Sequence, residues 1–146
     1  MGYPKNEEQE LLYEYDFAKD GGEVGAISLR SIVNGLKEGF IVREIEVRTK
    51  VAVTSGGSAT LTLGNTSDPD GYLADFASSV GTVGDVVNSG SVAGALIWDD
   101  TNDHAVHYRI GSAANVQDLV LTIGTAALTA GKLEILVKGS GDEADV

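Results

Sequence analysis

A long run with a period of two, within residues 39–54, constrains the fold of this chain more than any other stretch. Its sequence is GFIVREIEVRTKVAVT. A period of two places alternate side chains on opposite faces of an extended chain, whereas a helix repeats every 3.6 residues. One face carries Ile41, Ile45, Val47, Val51 and Val53, and the other carries Glu44, Glu46, Arg48 and Lys50. Because β-branched residues favour strands, the segment predicts a long β-strand with one buried and one wet face.

A second alternating segment follows after a glycine-rich turn. The sequence TSGGS at residues 54–58 is typical of a turn, and ATLTLGN at 59–65 places Ala59, Leu61 and Leu63 on one inward face. Two alternating segments separated by a few turn residues predict a β-hairpin.

Five further segments have the composition of short strands. They are LLYEYDF (11–17), EVGAISLR (23–30), HAVHYRIG (104–111), DLVLTIG (118–124) and GKLEILVKG (131–139). Gly21 and Gly22 permit a sharp turn with positive φ between the first two. Residues 72–79 predict one or two helical turns, and TAALTAG at 125–131 predicts a connection. Seven or eight short strands without a long helix predict an all-β fold, an antiparallel β-sandwich or jelly roll.

The length of 146 residues suits one domain. We expect an N-terminal arm at residues 1–9, a single sandwich domain at 10–138 and an acidic, disordered tail at 139–146. The apolar phases of the strands predict seven core residues. They are Ile45, Val47, Leu61, Leu63, Leu121, Leu133 and Ile135.

The charge balance limits the classes of partner. The chain has 22 acidic and 10 basic residues, a formal net charge of −12. This excess repels a phosphate backbone, and no basic stripe with interleaved aromatic residues offsets it, so we expect no nucleic-acid binding. No apolar run approaches the roughly 18 residues of a membrane span, and the polar, acidic start does not resemble a signal peptide. The absence of cysteine excludes disulfides and thiolate metal sites.

Little in the sequence points to site chemistry. His104 and His107 are three residues apart, so in one strand they would face opposite sides and could not share a metal ion. No Gly-x-Ser-x-Gly nucleophile turn occurs. Loop carboxylates offer weak candidates for calcium, namely Asp68, Asp70, Asp99 and Asp103, although aspartate in turns more commonly caps the backbone. We therefore expect no catalytic site, no cofactor and no enzymatic activity.

The N-terminal pattern Y-x-Y-D-F-A-x-D-G-G-x-x-G-x-I-x-L spans residues 13–29. It resembles the start of a family of small virion proteins of tailed bacteriophages, which includes capsid decoration (cement) proteins. Three further segments resemble the same family: residues 40–54, the sequence TSGGSATLTLG at 54–64 and LTIGTAALTAGKLEILV at 121–137. The resemblance covers about half of the chain and includes both ends, while residues 65–117 match no pattern of the family.

The resemblance implies a compact sandwich that forms a homotrimer, binds the major capsid protein on the outer surface of the virion and stabilises the shell without catalysis. The expected interface residues are Tyr3, Leu11, Leu12, Tyr13 and Trp98. Two alternatives stay open at this stage. One is another virion component, such as a tail, fibre or adaptor protein. The other is a carbohydrate-binding sandwich, which would present Trp98 and Tyr108 on one open face.

Overall fold

A computed structural model describes residues 8–99 and 101–141 of the chain. Its helical segments are short, with α1 at Phe17–Asp20, α2 at Ser89–Val92 and 3₁₀ turns at Ala77–Ser79 and Ala114–Val116. The strands are β1 Gln9–Asp16, β2 Gly25–Ser28, β3 Arg30–Val33, β4 Ile41–Ser55, β5 Thr60–Gly64, β6 Val86–Asn88, β7 Trp98–Asp99, β8 His104–Ala105, β9 Tyr108–Arg109, β10 Val120–Gly124 and β11 Leu128–Ser140. All pairings between them are antiparallel.

The larger sheet has six strands in the order β3-β1-β11-β4-β6, with β9 also pairing with β4. Its centre joins the two ends of the described chain, because β1 pairs with β11 from Gln9 opposite Gly139 to Asp16 opposite Lys132. The longest strand, β4, lies on the other side of β11. The terminal strands are therefore built into the middle of this sheet.

The smaller sheet has the order β2-β10-β5, and a single bridge between Leu63 and Leu73 adds a fourth position beside β5. The eight principal strands in chain order are β1, β2, β4, β5, the Leu73 bridge, β6, β10 and β11. One sheet contains β1, β11, β4 and β6 side by side, which are the first, eighth, third and sixth of these strands. The other contains β2, β10, β5 and the Leu73 bridge, which are the second, seventh, fourth and fifth. This interleaving is the strand order of a jelly roll, so the all-β antiparallel sandwich predicted from the sequence is confirmed.

One apolar core fills the space between the two sheets. The inward phase of the large sheet contributes Ile45, Val47, Leu133 and Ile135, and the small sheet contributes Leu61, Leu63 and Leu121. All seven side chains are fully buried, which confirms the core predicted from the alternation.

The predicted hairpin between β4 and β5 is wrong. The two strands lie in different sheets, and β5 pairs with β10 rather than with β4. Both long edges of β4 are already occupied, by β11 on one side and by β6 and β9 on the other. The turn after β4 therefore carries the chain from one sheet to the other.

The predicted face of β4 is also wrong at its far end, because Val51 is 46% exposed. The pairing of β4 with β11 shifts register between two positions, where Leu133 lies opposite Thr49 and Lys132 lies opposite Val51. No residue of β11 therefore lies directly opposite Lys50. Such a bulge adds one residue to one strand and changes which side chains point inward. The buried phase therefore continues from Val47 to Thr49 and then stops.

Two strand boundaries differ from the sequence prediction for reasons visible in the hydrogen bonding. Residues 23–30 do not form one strand. The chain follows the small sheet as far as Leu29, whose amide donates to the Leu119 carbonyl at 2.9 Å, and then enters the large sheet as β3. The last strand begins at Leu128, inside the predicted connection 125–131. It ends at Ser140, so Gly139 and Ser140 belong to the sheet rather than to a tail.

The remaining local predictions concern residues 72–79 and 104–111. Residues 72–79 contain only the 3₁₀ turn at 77–79, preceded by the Leu73 bridge. Residues 104–111 form two separate two-residue strands, β8 and β9, instead of one strand. His104 and His107 are both exposed.

Candidate functional site

The N-terminal motif, residues 13–29, builds a rigid corner of the fold. Helix α1 follows β1 directly, and the Asp16 carboxylate caps it by accepting from the Ala18 amide at 3.0 Å. The helix ends at Gly21, whose φ of 77° requires glycine, as the sequence predicted for this turn. The buried Tyr15 hydroxyl donates to the Gly21 carbonyl at 2.6 Å. Tyr15, Asp16 and Gly21 therefore fix the backbone geometry of this corner.

The predicted calcium candidates lie in separate turns. The Asp99 carboxylate accepts from the amides of Thr101 and Asn102 at 2.9 and 3.2 Å, which is turn capping. The Asn102 side-chain amide also donates to Asp99 at 2.8 Å, and this bond, followed by the backbone bonds, lowers the pKa of Asp99. Asp103 lies in the same loop with a positive φ of 54°.

Asp68 and Asp70 form the other pair of acidic candidates. The Asp68 amide donates to the side-chain oxygen of Asn65 at 2.8 Å, which closes a turn. Burial, together with the adjacent Asp70 carboxyl, raises the pKa of Asp68. Within residues 8–99 and 101–141, no three His, Cys, Asp or Glu side chains are grouped so that they could hold a metal ion.

The predicted interface residues on β1 divide between the two faces of the strand. Leu11 and Tyr13 are buried in the core, because the odd-numbered residues of β1 point between the sheets. The Tyr13 hydroxyl accepts from the Leu36 amide at 2.8 Å, and burial raises its pKa. Leu11 and Tyr13 are thus interior residues and not surface contacts. Leu12 is half-buried on the outer face, and Tyr3 lies outside the described residues.

Trp98, the last predicted interface residue, is half-buried in the small β7–β8 hairpin, opposite Ala105. It lines a surface hollow of about 260 Å³ together with Arg43, Glu44 and Ile97. Tyr108 does not line this hollow. Its ring packs edge-to-face on the buried Tyr72, with centroids 6.1 Å apart. The Tyr108 ring is thus held against a buried tyrosine and not in the hollow that Trp98 lines.

The outer face of the large sheet is a network of paired charges. Glu14 lies at its centre, 3.1 Å from Arg30, 3.6 Å from Lys19 and 3.8 Å from Lys132. Arg30 also binds Asp20. The basic side chains around Glu14 are therefore already neutralised within the chain.

A second group of paired charges lies nearer β6. Glu46 accepts from Arg48 at 2.7 Å and lies 3.5 Å from Lys138, and these cations, Arg48 first, lower the pKa of Glu46. Lys50 lies 3.6 Å from Glu134 across the β4–β11 pair. The alternation that predicted this strand thus serves two purposes: its apolar phase builds the core, and its charged phase builds cross-strand ion pairs.

Several large apolar side chains are exposed at positions that the sequence did not predict. The described residues include six large ones that are exposed: Val24, Ile32, Val33, Val51, Val83 and Val86. Alternation alone could not identify them, because an apolar residue on an edge strand has the same pattern as one in the core.

Comparison with known proteins adds a likeness in fold. No protein-family model matches the chain, and no curated protein matches it in sequence. Among solved structures, the chain is similar to a chain of the capsid asymmetric unit of the cyanophage Pam1, with a TM-score of 0.61 and 14% sequence identity. The likeness covers 96% of this chain and 89% of that chain, so it extends over the whole sandwich and establishes a shared fold.

Proposed function

We propose that this chain is a structural protein of a bacteriophage virion, and more specifically a decoration protein. In this role it binds the outer surface of the assembled capsid as a homotrimer and stabilises the shell without catalysis. The observation that carries the proposal is the likeness in fold, over 96% of this chain, to a chain from a cyanophage capsid. The resemblance of residues 13–29 and 121–137 to small virion proteins points in the same direction.

The chemistry of the motif residues supports a structural role. The Tyr15 hydroxyl and the Asp16 carboxylate hold the corner beside α1 through bonds to backbone groups, and the Tyr13 hydroxyl accepts from the Leu36 amide in the loop after β3. These motif residues are used to build the fold, which agrees with a structural role.

The charge distribution supports an outer position. Packaged DNA attracts proteins with unpaired basic side chains. Here Arg30, Arg48, Lys132 and Lys138 are all held within 4 Å of carboxylates on the same sheet, and the whole chain carries a charge of −12. A location against DNA would therefore be electrostatically unfavourable, whereas an outward-facing acidic surface is not.

Stabilisation of the shell would follow from the number of contacts. A trimer that touches several capsid subunits holds them together with a strength that grows with each simultaneous contact. Acidic loops that face basic capsid patches would mainly increase the rate of encounter, and this contribution falls as salt screens the charges. The slow dissociation would come from buried apolar contacts.

The test is to add the purified protein to capsids assembled without it, image the particles and heat them. We expect density at symmetric positions on the outer surface and a higher temperature of disruption. Capsids that already carry the chain are the control and should take up no more. Binding only at the tail would show a different virion component. No binding to capsids together with tight binding to a glycan would favour the carbohydrate-binding alternative and overturn the proposal.

A further inference from the structure

The chain contains three places where asparagine or aspartate precedes glycine, at residues 20–21, 34–35 and 70–71, and the structure distinguishes one of them. In the pairs at 20–21 and 70–71 the glycine amide donates to a backbone carbonyl, at 2.9 and 3.0 Å. Within the described residues, the amide of Gly35 forms no hydrogen bond. The nitrogen that follows Asn34 is therefore not held by a partner.

The Asn34 side chain is equally unrestrained. Strand β3 ends at Val33, and Asn34 turns the chain away from the sheet with a positive φ of 54°. Its backbone carbonyl accepts from the Ser31 hydroxyl. Its side chain is exposed and makes no hydrogen bond in the part of the chain that the structure describes. A free carboxamide thus lies next to a free backbone amide.

The other described asparagines lack this combination. Asn65 is buried, and the side chains of Asn88 and Asn102 are hydrogen-bonded within their turns. Asn115 is exposed, but the residue after it is Val116, whose branched side chain crowds the amide between them. Exposure, a free side chain and a following glycine occur together only at Asn34 among the described asparagines.

We propose that Asn34 is a site of spontaneous deamidation, in which the Gly35 nitrogen closes a five-membered imide ring on the Asn34 side chain. The nitrogen forms a bond with the Cγ carbon, the bond from Cγ to the side-chain nitrogen breaks, and ammonia leaves with the proton of the Gly35 amide. Water then adds to one of the two imide carbonyls and opens the ring. One water enters and one ammonia leaves, and nothing is oxidised or reduced.

Glycine makes this ring closure possible because no Cβ atom stands beside the attacking nitrogen. The ring opens to aspartate, which keeps the original main chain, or to isoaspartate, in which the main chain runs through the former side chain. Either product adds one negative charge to the exposed turn after β3. The inference goes beyond the proposed function and does not depend on it.

The two products have different consequences for the fold. Aspartate fits position 34, since asparagine and aspartate adopt a positive φ more readily than most residues. Isoaspartate inserts one carbon into a turn that is fixed on both sides, by the bond from Ser31 and by the Leu36 amide, which donates to the buried Tyr13 hydroxyl at 2.8 Å. We therefore expect a lower melting temperature for the isoaspartate form than for the aspartate form.

The test is to incubate the folded protein in mildly alkaline buffer and follow the tryptic peptide SIVNGLK, residues 31–37, by mass spectrometry. In water enriched in heavy oxygen each converted chain takes up one solvent oxygen, and chromatography separates the aspartate and isoaspartate peptides. We expect conversion of Asn34 to increase with time, while Asn115, the internal comparison, changes far less. A sample digested at time zero corrects for conversion during digestion.

Gly35→Ala is the matched variant. Gly35 has no positive φ, and a Cβ there would lie 3.5 Å from the Tyr13 hydroxyl, an ordinary contact, so the fold should accept alanine. Circular dichroism and the melting temperature check this. We expect Asn34 to convert about tenfold more slowly in this variant, because the added Cβ crowds the attacking nitrogen.

Two results would overturn the inference. One is an Asn34 that stays intact in the folded wild type while the synthetic peptide SIVNGLK converts under the same conditions. The other is equal conversion in the wild type and in a folded Gly35→Ala variant. If the variant does not fold, the time course of the wild type against its own Asn115 still decides, since equal conversion at the two positions contradicts the role of the free glycine amide.

Discussion

Replacing Tyr15 by phenylalanine should change the stability of this protein in a direction that depends on pH. The Tyr15 side chain is fully buried, and its hydroxyl donates to the Gly21 carbonyl at 2.6 Å. Phenylalanine fills nearly the same volume but leaves that carbonyl without its donor. At neutral pH we expect Tyr15→Phe to lower the free energy of unfolding by about 1 kcal/mol, the usual contribution of one such hydrogen bond.

At alkaline pH the wild type should lose this advantage. Burial, with the nearby charges of Asp20 and Asp16, raises the pKa of Tyr15 from 10.0 to about 12. Between these values the unfolded chain releases the phenolic proton while the folded chain keeps it, so rising pH favours unfolding. The loss is about 1.4 kcal/mol per pH unit, hence about 1.4 kcal/mol at pH 11. Phenylalanine has no proton to release, so the variant should equal or exceed the wild type at that pH.

The assay is urea unfolding of both proteins at pH 7 and pH 11, followed by circular dichroism. Ionisation of the other tyrosines affects both proteins alike and cancels in the difference. The dependence on urea should be the same for the two proteins, which serves as the control for an unchanged unfolded state. A variant that is less stable by the same amount at both pH values would refute the assignment of a raised pKa to Tyr15.

Three further changes test the core, a close backbone approach and a buried carboxyl. Leu133→Ala should lower the free energy of unfolding by about 2–5 kcal/mol in urea, because it leaves a cavity at a fully buried site. Val51→Ala, at an exposed site of the neighbouring strand, should change it by no more than about 0.5 kcal/mol. Equal losses in the two variants would contradict the described faces. Gly139→Ala places a Cβ atom 1.9 Å from a backbone oxygen of β4, so we expect a markedly lower melting temperature, and an unchanged one would show that the two strands can separate there. Asp68→Asn should be at least as stable as the wild type at pH 7, because the raised pKa of Asp68 makes its ionised form costly in the folded state. The variant should lose this advantage as the pH falls and the wild-type carboxyl becomes protonated. A stability advantage that grows towards low pH in thermal melts would contradict the raised pKa.

Alternation in the sequence predicted which side chains are buried but not which strands are neighbours. The inward phase of Leu61 and Leu63 was correct, because burial needs only one apolar face. Their pairing with β4 was wrong, because the partner of a strand depends on every other strand that competes for its edges. Here the C-terminal strand β11 takes one edge of β4, and this contact joins residues nearly a hundred positions apart, such as Val42 and Gly139.

Bulges explain where even the prediction of faces fails. Strand β4 has 15 residues, and its register with β11 shifts between Thr49 and Val51. The residue types do not predict this shift in register, because Lys50 and Val51 continue the alternation of the preceding residues. The sequence therefore predicted Val51 on the buried face of the strand, whereas the bulge leaves it 46% exposed.

The exposed apolar side chains could not be predicted from the sequence for the same reason. Leu11 and Tyr13, two of the five residues expected at an interface, are buried because their apolar side chains lie on the inward face of β1. The apolar side chains that are exposed lie in different settings: Ile32 and Val33 on the edge strand β3, Val83 in the loop before β6 and Val51 on the interior strand β4. Which strand lies at an edge follows only from the order of the whole sheet, so the exposure of Ile32 and Val33 is set by topology and not by residue type.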